Sequence, residues 1–360
     1  MGWEAEGESV VFKSRTVFVI GAGASQEVKF PVGQELANEL GIRLNLQIDW
    51  GEVRKGDREI GAALQRLVAD EPRWKQNNFI GSARELSEAM EMAVSIDNFL
   101  EAHADDEELV LLGKLGIASV IIDKERHCPL APRNEGREAF SLQLVAATWL
   151  VSLGQLLTLG VPVGRAEHVL DNVSFITFNY DRSLEVFLAR ALAVYYRMRP
   201  EEAAALVENA AILHPYGSLG AISGASPRLA FAPREGKYDL YEVSQRIRTF
   251  SENVDDQKFL SAVRTKIQDA EQVVFLGFGY HDQNMELITP TIAKADRTPR
   301  LRRVLATTCG LSKSDTEIVR GNIGRMMKNR PLGRNEEYTI ETFDGECRKF
   351  FGEYWRTLIA

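Results

Sequence analysis

Thr16-Val17-Phe18-Val19-Ile20-Gly21-Ala22-Gly23-Ala24-Ser25, followed by Pro31-Val32-Gly33, is the stretch that decides the fold. An uncharged run of β-branched and aromatic residues ending on small ones predicts a buried strand that feeds a tight turn and then a helix. Gly21 and Gly23 let the backbone come within hydrogen-bonding distance of a pyrophosphate, whose charge the N–H groups of the turn and helix start would favour. A fingerprint for hydride-transferring dinucleotide enzymes would carry a third glycine at position 26, where this chain has Gln26. The stretch points to a nucleotide site and away from ordinary hydride transfer. A strand-to-helix turn that holds no ligand is the plainer alternative.

Working outward, the residues before Ser14 are acidic and glycine-containing and predict a short arm. Beyond the turn, residues 34–40 predict the helix that closes it. From about 43 to 164 helical periodicity replaces strands, with helices expected over 60–69, 82–94, 107–125 and 139–159. Strands return at 173–178, 211–213, 272–276, 303–307 and 338–342. Helices are expected over 182–194 and 256–270, after a capping box at Ser314-Asp315-Thr316-Glu317, and from Glu346 onward. Strands alternating with helices predict an α/β fold with a doubly wound, mostly parallel sheet of the Rossmann type. We expect one domain over 1–360, its core at about 14–42 and 165–360 and a helical insertion at about 43–164.

Composition narrows the function. A formal charge of -8 argues against a protein that grips nucleic acid over its whole surface. Cys128, Cys309 and Cys347 are scattered and form no Cys-x-x-Cys pair, which argues against a zinc ribbon or a disulfide framework. Met1-Gly2-Trp3-Glu4-Ala5-Glu6 has no basic segment leading into an apolar run, so a cytoplasmic location is expected. No charge falls between Glu138 and Arg165, but Gln143, Ser152, Gln155, Gly160 and Pro162 interrupt that run, and a buried helix is the better reading than a membrane span.

Four expected strands end in polar or glycine-rich turns: Gly21 to Ser25, Asn179-Tyr180-Asp181, His214-Pro215-Tyr216-Gly217-Ser218, and Gly277 to Asn284. In a parallel sheet these turns converge where ligands bind, at the carboxyl ends of the strands. With a dinucleotide diphosphate on the first turn, Asn179 could orient a water or ribose hydroxyl and His214 could take its proton. Breaking the nicotinamide glycosidic bond passes through an oxocarbenium-like state and needs positioning and a base, but no metal. Asp181 could hold the nicotinamide amide or fix Asn179. Candidate contacts to the nucleotide are Gly21, Ala22, Gly23, Ser25, Pro31, Asp97, Asp181, Gly217, Ser218, Gly277, Gly279, Asp282 and Asn284. The plainer readings are a structural histidine at 214 and helix caps at 179–181 and 282–284.

Taken together, Gly21-Ala22-Gly23-Ala24-Ser25 with Pro31 and Gly33, Ser95-Ile96-Asp97-Asn98-Phe99-Leu100, Thr177-Phe178-Asn179-Tyr180-Asp181, His214 with Gly217-Ser218, and Gly277-Phe278-Gly279 resemble the sirtuin-like domain of bacterial anti-phage NADases. The resemblance implies a sirtuin-like fold, NAD as substrate, Asn179 and His214 as the residues essential for its cleavage, and a diphosphate on Gly21 to Ser25. It also implies a homo-oligomeric ring that partners a HerA-type DNA translocase. The chain departs from deacylating sirtuins: Pro31-Val32-Gly33-Gln34 and Phe178-Asn179-Tyr180-Asp181 replace their motifs, and their four-cysteine zinc module has no counterpart. From 291 to 335, eleven Lys or Arg stand against three acids, a patch that could meet nucleic acid or an acidic subunit face, or simply be solvated. The leading expectation is an NAD glycohydrolase. An NAD-dependent lysine deacylase and a non-catalytic NAD or ADP-ribose sensor within an assembly are the alternatives.

Overall fold

A computed structural model describes residues 12–69, 72–132, 141–222, 229–291, 303–328 and 338–360. Its centre is a six-stranded sheet of β1 (Thr16–Ile20), β4 (Val173–Thr177), β5 (Ala211–Leu213), β6 (Gln272–Leu276), β7 (Arg303–Thr307) and β8 (Thr339–Phe343). The spatial order is β5-β4-β1-β6-β7-β8, and every pairing is parallel. Every residue of β1 and β6 is buried, as expected of parallel strands covered by helices on both faces. The chain winds outward from β1 through β4 to β5, then returns across β1 to β6 and continues to β8. That reversal opens a crevice beside β1 at the carboxyl ends of the strands.

Aromatic packing fixes the helices to the sheet. The Phe18 ring on β1 stacks on Phe175 of β4 at 5.6 Å and on Phe351 at 6.3 Å, the latter on the closing helix Cys347–Leu358. Trp149, at the start of the helix Trp149–Thr158, donates from Nε1 to the Ala24 carbonyl at 2.7 Å and so pins that helix to the turn after β1. Below the next turn, Arg182 grips Glu125 through two bonds of 2.9 and 2.7 Å and also donates to the Leu229 carbonyl at 2.6 Å. Both side chains are essentially inaccessible, and the bidentate geometry supplies the hydrogen bonds such a buried pair requires.

The segment 43–164 departs from expectation in three places. A two-stranded antiparallel hairpin, β2 (Gln47–Asp49) and β3 (Glu52–Lys55), stands where no strand was expected. Trp50 and Gly51 form its tip, both with positive φ, and Val53 packs against Gly61 of the helix Arg58–Leu67. The helix expected over 82–94 runs from Arg73 to Ala89. The one expected over 139–159 is a 3-10 turn, Leu142–Val145, and a separate helix, Trp149–Thr158, because residues 146–148 leave the helical path; residues 139 and 140 lie outside the described residues. Among the described residues, no helix is long and apolar enough to cross a membrane. The later cap is also displaced: the helix Lys313–Lys328 is capped by Ser312, whose Oγ accepts from the Asp315 N–H at 3.1 Å, rather than by Ser314.

Candidate active site

A cleft of about 690 Å³ lies over the carboxyl ends of the strands, within the range of small-molecule sites. It gathers Gly21, Ala22 and Gly23 from the first turn, Asp97 from the start of the helix Ile96–Ala102, and Gly277, Gly279, Asp282 and Asn284 from the turn after β6. Tyr216 and Phe178, which the sequence reading did not single out, close the same cleft.

The glycines are explained first by backbone approach. The N–H of Gly21 donates to the Leu276 carbonyl at 2.9 Å and that of Gly23 to the Gly277 carbonyl at 3.0 Å, so neither of these amides points to a ligand. A Cβ on Gly21 would come within 2.6 Å of the Gly277 oxygen, and one on Gly277, where φ is 55°, within 2.0 Å of the Ala24 nitrogen. The turns after β1 and β6 thus interlock, which only residues without side chains allow.

Asn179 sits beneath the first turn and is buried. Its Nδ2 donates to the Gly21 carbonyl at 3.1 Å and to Ser25 Oγ at 2.7 Å, while its Oδ1 is buried without a partner. Ser25, Pro31 and Asp181 are likewise interior rather than cleft-lining. Asp181 accepts from the Ser183 N–H at 2.9 Å, the capping role weighed for it, and burial raises its pKa against the pull of that contact and of Ser25.

His214, Gly217 and Ser218 line a second depression, of about 360 Å³, and not the cleft. His214 Nε2 lies 2.6 Å from Glu185 Oε1, and its Nδ1 lies 3.3 Å from the backbone oxygen of Asn179. Burial alone would lower the imidazole pKa, but the Glu185 carboxylate outweighs it and holds His214 above its ordinary value. Burial would raise Glu185, and the imidazolium instead brings it below the usual range. The Glu185 carboxylate and the Asn179 carbonyl both only accept, so His214 donates from both ring nitrogens and the site favours the imidazolium. An unbroken chain therefore runs from the Gly21 carbonyl through Asn179 and His214 to Glu185. Glu185 was missed from sequence, although it is an acid in the first turn of the helix Ser183–Tyr196, among the buried residues Ser183, Leu184, Val186 and Phe187.

The cleft is acidic. Glu27, Asp97, Asp282 and Glu346 line it against His281, with no Lys or Arg among the described lining residues. Burial raises the Asp97 pKa, opposed by the hydroxyl of Tyr180, which donates to its carboxylate in a short bond. Tyr216 donates to Asn284 Oδ1 at 2.7 Å and fixes the far wall. Glu27, raised by burial, accepts from the N–H groups of Trp149 at 2.7 Å and Arg348 at 2.8 Å, joining two helix starts to the first turn. Among the described residues no group of three His, Cys, Asp or Glu is placed to hold a metal ion. Six of the eleven basic residues expected over 291–335 lie outside the described residues; Arg303 opens β7, and Lys313, Arg320, Arg325 and Lys328 lie on the helix Lys313–Lys328.

Residues 173–321 match the family model of the SIR2-like domain. The matched stretch opens on β4 and holds Asn179, Glu185, His214 and the Gly277 turn, and the fold around it is the Rossmann-like α/β arrangement such a domain requires. It supports a sirtuin-like domain and NAD-related chemistry. The chain matches no curated protein.

Proposed function

We propose that the protein is an NAD glycohydrolase that releases nicotinamide and ADP-ribose. The observation that carries the reading is the chain Gly21–Asn179–His214–Glu185, which ties the interlocked glycine turns of the cleft to a histidine whose orientation and charge a carboxylate holds. In the reaction the bond from ribose C1′ to the nicotinamide nitrogen breaks, its electron pair neutralises the pyridinium, and water adds to C1′ and loses a proton. An acidic cleft suits this course, because positive charge moves onto the ribose as the bond breaks. Asp97 is the carboxylate we assign to that charge, Asn179 orients the ribose or water, and His214, the base the family resemblance implies, takes the proton once its contact with the Asn179 carbonyl opens. The family resemblance extends the reading to a cytoplasmic anti-phage effector that forms a ring and works with a HerA-type translocase.

The test is to incubate the full chain with NAD, alone and with its genomic-neighbour product, and to measure nicotinamide and ADP-ribose beside Asn179→Ala and His214→Ala. Turnover lost in both variants is expected. Undiminished turnover in either variant removes that residue from the mechanism. Saturable NAD binding without product in every condition replaces catalysis with sensing, and nicotinamide release that depends on an acyl peptide replaces hydrolysis with deacylation.

A further inference from the structure

The cleft and the depression beside His214 have opposite charge. The second depression carries His214, Arg246 and Arg248, and no acid lines it. Its construction is specific. Gly217 pairs with Ile247 in an isolated antiparallel bridge, and the Arg248 N–H donates to the Tyr216 carbonyl at 2.9 Å. Gly217 has φ 71°, and a Cβ there would lie 1.9 Å from the Arg246 oxygen, so glycine is what lets this segment lie against the turn that follows His214. Ile247 between the two arginines is buried in the core, and the residues on either side both reach the depression.

The guanidiniums keep donors in reserve. Arg246 donates from Nη1 to the Leu219 carbonyl at 2.5 Å, and Arg248 donates from Nη1 to Asp256 at 3.0 Å while standing 5.3 Å from the centre of the Phe259 ring. Each guanidinium has five N–H donors, so these bonds leave most of them for another acceptor. The facing acids are Glu185, engaged by His214, Asp256, engaged by Arg248, and Glu242, whose charge acts on Arg246. Ser218 adds a hydroxyl, and Phe259, Ile212 and Leu213 supply an apolar wall. Two forked cations and an imidazole over such a wall match a phosphate carried on a small organic body.

We propose that this depression is a second ligand site, separate from the cleft, which takes the phosphate of a small phosphorylated molecule on Arg246 and Arg248. The site shares His214 with the glycohydrolase reading, but phosphate binding on Arg246 and Arg248 needs neither NAD nor turnover and is tested apart from it.

The experiment follows the imidazole signals of the full chain, labelled with 13C at histidine, as inorganic phosphate replaces chloride at constant ionic strength. His214→Asn identifies the His214 signal. A saturable shift of that signal is expected, and Arg248→Gln, which gives up the exposed pair with Asp256 and the contact with the Phe259 ring, weakens it by at least about tenfold, the worth of one charge-assisted bond. Ser218→Ala gives a smaller loss in the same direction. No phosphate-dependent shift, or an equal shift in Arg248→Gln, overturns the proposal.

Discussion

Replacing Glu185 by Gln tests the pair at the heart of the site. The bond to His214 is 2.6 Å long and both side chains are largely buried, at 14% and 16% exposure, so solvent screens the pair little. Gln keeps the shape and an acceptor but removes the charge, and the loss of a charge-assisted bond is worth about 2 kcal/mol. The sign of the pH dependence follows from the two shifts. His214 is raised, so its contribution is complete below its ordinary value of 6.5 and fades as pH rises through its folded value. Glu185 is lowered, so its contribution is complete above its ordinary value of 4.5 and fades as pH falls through its folded value. The pair is therefore strongest between those two ordinary values. Urea unfolding at about pH 5.5 should show Glu185→Gln less stable by about 2 kcal/mol, or about 0.7 M in midpoint for a slope near 3 kcal/mol/M, and the gap should narrow at a pH above the folded value of His214. The titration of His214, followed by NMR, should move to lower pH in the variant. A gap that is the same at both pH values would refute the assignment of charge to this pair.

Three further substitutions probe the turns. Asn179→Ala removes the bonds of 3.1 and 2.7 Å to Gly21 and Ser25, and denaturant unfolding should show a loss of about 1 to 3 kcal/mol, so that its activity must be read on the folded fraction. Gly277→Ala forces a left-handed conformation on a residue whose Cβ would sit 2.0 Å from the Ala24 nitrogen, and should cost at least about 3 kcal/mol in thermal unfolding; Gly279→Ala, which meets only the His281 ring, should cost about 1 kcal/mol or less.

The sheet was legible because its strands are continuous apolar runs broken by small and polar residues, and β1, β4, β5, β6 and β7 lie where the pattern puts them. The convergence of turns was legible for the same reason: once the strands are parallel, Gly21, Gly277 and Asn284 have nowhere else to go. Local patterns failed where tertiary contacts decide. The hairpin at 47–55 has short strands and a Trp-Gly tip, and it is held by Val53 against Gly61. The roles of Asn179 and His214 are set by what lies across the chain. An Asn after a strand reads as a cap or a ligand, and here its amide first serves Gly21 and Ser25. Arg246 and Arg248 belong to no sequence motif, and it is the bridge from Ile247 to Gly217 that lays them beside His214.

The hydrogen-bond inventory of Asn179 bears on which end of a dinucleotide would meet it. Both of its amide protons are spent on Gly21 and Ser25, an arrangement an aspartate could not reproduce because it has no donor. What remains is Oδ1, an acceptor, buried and unpartnered. A ligand group satisfying it must donate: a ribose hydroxyl, a carboxamide N–H or a water qualifies, and a phosphate oxygen does not. The acidic lining of the cleft argues in the same direction, since Asp97 and Asp282 favour a cationic ring over an anionic diphosphate. The two observations are independent, one resting on donor count and the other on charge, and both favour the proposal that the nicotinamide ribose, rather than the diphosphate, would meet Asn179.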